Sequence, residues 1–156
     1  MHLKIDPPRD GWISVTLLSF GEVIQISASN TPGDSIMELA KGVLSILKGT
    51  SEVTVPWNTK FIAYDFFFVT NSKRTILSII EFPHHSRDPE TGKILFKVSG
   101  NQLEMCLSLW HSLCQLEKLF PSGEEYTSAW DHPFPSQILK EITTKILEDD
   151  PLILKL

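Results

Sequence analysis

The sequence predicts an α+β protein, a single twisted, mainly antiparallel β-sheet in the order ββαββββαα with helices packed on it. Two observations carry this. Residues 12–18, 22–28, 60–82 and 93–98 hold short runs rich in β-branched and aromatic residues, separated by turn residues, whereas residues 32–49, 101–120 and 136–148 repeat apolar side chains at the three-four spacing of a helix. Strands in adjacent runs with short turns pair antiparallel, and their apolar face needs helices to cover it.

In chain order, WISVTLL and EVIQISA form a hairpin turning at Phe20-Gly21, with Ile13, Val15, Leu17, Ile24, Ile26 and Ala28 as the inward set. The first helix is expected to open with Thr31 as N-cap, Pro32 at its first position and Asp34 completing a capping box. Ile36, Leu39, Ala40, Val43, Leu44 and Leu47 make its buried stripe, and Gly49 suits a left-handed cap. A short strand over 51–56 leads to KFIAYDFFFVTNSKRTILSIIEF, a hairpin apolar on both faces of both strands, which marks a sheet centre needing cover on each side. HHSRDPETG is an exposed loop, and in KILFKV the residues Ile94, Phe96 and Val98 alternate with lysines as in a strand near an edge. The helix over 101–120 has two apolar stripes and should be buried on more than one side. PSGEEYTSAWDHPFP reads as a loop, residues 136–148 as the last helix, and the apolar tail PLILKL as a segment that docks or pairs.

At 156 residues the chain fits one domain, 1–156, and its 42% hydrophobic and 21% charged residues are those of an ordinary globular protein. A net charge of −5 without a basic cluster argues against nucleic-acid binding. No apolar run reaches the roughly 18 residues of a membrane span, and the first residues lack a secretory pattern, so the expected setting is the cytoplasm. Cys106 and Cys114 lie eight residues apart on one helix. That spacing is roughly 12 Å, too far for a disulfide, and both read as reduced core thiols.

Phosphate loops, nucleophile elbows and paired CxxC motifs are missing from the sequence, and no cofactor or metal is expected. Asp65 sits in the apolar hairpin; with the turn centred on residues 72 and 73 it faces Ile80, while Glu81 falls on the other face beside Tyr64. A carboxylate there needs either a structural partner or a function that uses its burial. His84, His85 and Asp88 could donate to a metal, but neighbouring strand-end histidines point apart and the set reads as a solvated loop. His111 beside Cys114 suggests a nucleophile pair, which the apolar surroundings of Cys114 oppose. Tyr126, Trp130, His132 and Phe134 cluster in one loop and, with Trp57, are either interface anchors or plugs of the sheet end.

The stretch SASNTPGDSIMELAKGVLSILKG, followed by a Trp-containing strand end and ILSIIEF, is similar to a group of small bacterial α+β proteins, some of which resemble immunity proteins encoded beside polymorphic toxins. The likeness spans residues 12–100 and centres on Pro32-Gly33-Asp34 and Gly49. It implies a binding role and brings no catalytic residues with it. The leading expectation is therefore a non-catalytic, protein-binding protein of the bacterial cytosol, whose acidic charge suits a basic toxin. A small-molecule site or enzyme pocket near Asp65 is the alternative, and a structural homodimer the second alternative.

Overall fold

The computed structural model describes residues 1–153. The α+β class holds, but the strands divide into two antiparallel sheets rather than one. β1 (His2–Ile5), β2 (Trp12–Ser19) and β3 (Glu22–Ser29) form the first; β4 (Glu52–Asn58), β5 (Ala63–Asn71), β6 (Arg74–Phe82) and β7 (Lys93–Asn101) form the second. α1 (Ser35–Leu47) separates them in sequence, while α2 (Gln102–Lys118), α3 (Glu124–Trp130) and α4 (Ser136–Asp149) follow. β3 touches β4 without a ladder, because the chain leaves the first sheet for α1 before it enters the second.

Four local features depart from the sequence reading. HLKI at the start is a strand, with Leu3 and Ile5 buried and His2 and Lys4 exposed, the period-two pattern of a half-wet strand. α1 begins at Ser35 with Asp34 as its N-cap: the carboxylate accepts from the Met37 amide at 3.2 Å, so Thr31 and Pro32 belong to the preceding turn. α3 occupies part of the expected 121–135 loop. In β7 the alternation breaks at a bulge, where Ile79 pairs with Phe96 but Ile80 with Ile94, so Ile94 changes face and is 57% exposed while Phe96 and Val98 stay buried.

The long hairpin starts at Ala63 rather than at residue 60, but its expected register and the α1 cap hold. Asp65 pairs with Ile80 and Tyr64 with Glu81. Gly49 takes φ +98°, and its amide caps α1 on the Ile46 carbonyl at 3.0 Å.

One core joins both sheets to the helices. Leu3, Ile13, Val15 and Leu17 of the first sheet and Val55, Phe66, Phe68 and Ile79 of the second all belong to it. From the helices come Ile36 and Leu39, Leu109 and Leu113, and Ile142 and Ile146. α2 meets β1 of the first sheet and β6 and β7 of the second, which explains its two apolar stripes. The hairpin of β5 and β6 is therefore covered on one face by helices. On the other, the 83–92 loop folds back so that a side chain at Gly92 would press within 2.9 Å of Phe82, and Phe67, Val69, Ile76 and Ile80 remain half-buried. Of the tail, Ile153 packs partly against the core, and residues 154–156 lie outside the described residues.

Candidate interaction site

Asp65 has a partner. Arg87, held at φ +54° in the 83–92 loop, donates its Nε to the Asp65 carboxylate at 2.7 Å and its Nη1 to the His85 carbonyl at 3.2 Å. The side chains are 13% and 21% exposed, so the pair clips the loop onto the sheet in partial shelter from solvent. His85 closes the loop further through its Nε2 and the Thr59 carbonyl, 2.8 Å apart. Asp65 is absent from the lining of the best-formed surface grooves, which open elsewhere. On the opposite face, burial pushes the Tyr64 hydroxyl pKa up, and the hydrogen bond and negative charge of Glu81 add to the rise.

The loop aromatics expected as anchors are largely interior. Tyr126 and Trp130 are fully buried, as is Trp57 on β4, which packs against Phe66 at 5.1 Å. Tyr126 stacks edge-on between Phe120 and Phe134, at 5.6 and 5.2 Å. Trp130 donates its indole N–H to Asp34 at 2.8 Å, and its carbonyl accepts from the Asn30 amide at 2.9 Å. His132, half-buried like Phe134, lies 3.1 Å from the Asn30 carbonyl. This network moors α3 to the end of β3 and the start of α1. Burial, with Asp34 nearby, drives the Tyr126 pKa upward, and its hydroxyl has no hydrogen-bond partner.

Asp88 caps the short turn Pro89–Thr91 by accepting from the Glu90 amide at 3.1 Å, and no metal-binding cluster of three donors occurs among the described residues. Burial raises the thiol of Cys106 to about 12 and, aided by the charge of Glu117, that of Cys114 to about 11, which keeps both protonated near neutrality. No helix of the described residues is long and apolar enough to cross a membrane.

A surface that the sequence reading passed over stands out at the β2–β3 turn. Phe20 and Gly21 have φ values of +50° and +80°, two consecutive left-handed residues as in a type I′ hairpin turn. Gly is at ease there, whereas a large side chain pays about 1–2 kcal/mol. Phe20 is nonetheless 95% exposed, beside the cross-strand pair Leu18 and Val23 at 44% and 61%. Phe20 also walls a groove of about 360 Å³ lined by Met1, Val98, Gly100, Glu104 and Met105, where the β2–β3 turn faces β7 and the first turn of α2.

β1 and β7, each an edge strand of its sheet, differ sharply. Asp6 donates to Ser14 at 2.9 Å, so the alternating ladder turns the backbone groups of Met1 and Leu3 away from β2. α2 meets them there: Ser108 donates to the Met1 carbonyl at 3.0 Å, and buried Ser112 donates to the Leu3 carbonyl. On β7, Gln102 donates to Lys73 at 2.7 Å, so Gly100 and Val98 bond to β6 while the backbone groups of Lys97 and Ser99 and the Asn101 amide point outward, the Asn101 carbonyl being engaged by the first turn of α2. No strand pairs with that edge among the described residues.

No family model, curated protein or solved structure matches the chain.

Proposed function

We propose that the chain is a non-catalytic protein-binding protein of the bacterial cytosol, acting as an interaction or immunity-type module. One observation carries the reading: a bare aromatic residue is held in a left-handed backbone that disfavours it, beside two further exposed apolar side chains. Folding alone gains little from such an arrangement, and an exposed aromatic is a suitable anchor for a partner. Charge supports a basic partner. Residues 59–101 hold six Lys and Arg against four Asp and Glu, so the acid excess, fifteen against eight, lies in the rest of the sequence. The pocket reading loses support because the Asp65 carboxylate is occupied by Arg87. A symmetric dimer has one observation in its favour, the half-buried apolar stripe of Phe67, Val69, Ile76 and Ile80.

The test compares affinity capture from source-cell lysate by the wild type, by Phe20→Asn and by Lys140→Glu on the far helical surface. The reading expects one or more proteins retained by the wild type and by Lys140→Glu and lost with Phe20→Asn. Identical retention by all three proteins, or none by any, sinks it. A strict monomer by sedimentation at high concentration removes the dimer.

A further inference from the structure

We propose that the seam between Phe20 and the outer edge of β7 receives an extended segment of a partner protein, which adds a strand beside Lys97–Asn101. The proposal rests on the protein-binding reading and deepens it by naming the surface and the chemistry of its occupant.

Three independent features converge on the seam. The outward backbone groups of Lys97 and Ser99, with the Asn101 amide, form a short ladder ready for a strand, whereas the corresponding edge of β1 is closed by Ser108 and Ser112. Beside that ladder lies the groove of about 360 Å³, with Met1, Val98 and Met105 as apolar walls, room for one large apolar side chain of the incoming segment. Phe20 forms the far wall and is covered when the segment docks, which gives its exposure a purpose.

Charge narrows the occupant. Glu104 is the charged residue lining the groove, so a Lys or Arg two positions from the apolar residue on the same face of the segment meets it. A second copy of this chain fits poorly. Its own β7 presents Val98 and Gly100 on the face that turns toward Glu104, with Lys97 on the opposite face and Lys93, on the near face, five residues from Val98 and beyond the bulge rather than two positions from it. The occupant is therefore a protein segment that alternates polar residues with an apolar and a basic residue.

Selection from a displayed library of random dodecapeptides on the immobilised wild-type chain, followed by anisotropy titration of the enriched peptides, tests this. The expected peptides carry an aromatic or branched aliphatic residue two positions from a Lys or Arg. Their affinity falls at least tenfold with Phe20→Asn and at least tenfold with Glu104→Lys, and exchanging the peptide's basic residue for Glu restores binding to Glu104→Lys. Ser99→Pro, which removes an outward donor and leaves the β6 ladder intact, weakens them by a similar factor. Circular dichroism and melting curves confirm that each variant is folded. Peptides that bind the variants as tightly as the wild type overturn the seam and leave protein binding standing; no enrichment at all overturns both. Concentration-dependent dimerisation that Phe20→Asn abolishes assigns the seam to a second copy and likewise overturns the proposal.

Discussion

Phe20 is a residue whose local energy and exposure oppose each other, and that makes it the most informative side chain to replace. Asn tolerates the left-handed region far better than Phe, so Phe20→Asn should raise stability by about 1 kcal/mol, a few degrees in Tm. A fall in Tm would mean that the ring packs on something in solution and that its exposure is not as described. Asp65 makes the opposite prediction. Asp65→Ala leaves the Arg87 guanidinium half-sheltered without its acceptor and should cost about 1–3 kcal/mol in urea denaturation. Arg87→Leu on top of Asp65→Ala should cost less than the sum of the single changes, since the two are coupled. Strict additivity would show that the pair does not hold the loop.

At the scale of elements, close approach decides more than propensity. Gly42 lies inside α1, where exchange for Ala ordinarily gains up to about 1 kcal/mol. A Cβ there would sit 2.9 Å from a Val53 methyl and 3.1 Å from one of Val55, both on the strand beneath. Gly42→Ala should therefore destabilise, by about 1–2 kcal/mol net, and a gain in the thermal midpoint would contradict the packing of α1 on β4. α2 is bound to β1 by hydroxyls. Ser112→Ala strands the Leu3 carbonyl and should cost about 1–2 kcal/mol, with faster amide exchange in β1 as its local signature. Much of this level could be read from residues: the Phe20-Gly21 turn, the Gly49 cap and the pairing of Asp65 with Ile80 all follow from spacing. The bulge at residues 94–96 could not, because Ile94, Phe96 and Val98 alternate without a flaw in the chain itself.

For the whole molecule, buried weak acids set the alkaline limit. Cys106 and Cys114 titrate at about 12 and 11 in the fold against an ordinary 9.0, and the Tyr126 hydroxyl is raised as well. Each acid keeps its proton more tightly when folded, so its contribution is complete below about pH 9 and is lost as pH rises through the folded values. Thermal midpoints should be flat up to about pH 9 and fall steeply above it. By the same logic buried Cys106 should not react with a thiol reagent at pH 8 until the protein is unfolded, and half-buried Cys114 should react only slowly. Rapid labelling of both in native buffer would place them outside the core.

Sequence alone determined the α+β class, the hairpins, the existence and C-terminal end of α1, the extent of α2 and α4 and the stripes that face inward, because periodicity and turn chemistry are local and act wherever the chain goes. Only the tertiary structure decided which side chains of ambiguous type are inside. Tyr126, Trp130 and Trp57 are buried and Phe20 is bare, although all four are aromatic residues near turns or loops, and burial depends on what arrives from afar: Asn30 and Asp34 come to Trp130, and Arg87 comes to Asp65. The division into two sheets belongs to the same class, since strand pairing is a relation between segments. So does the seam, where an edge of β7, a turn from β2 and the first turn of α2 meet and no one of them contains the site.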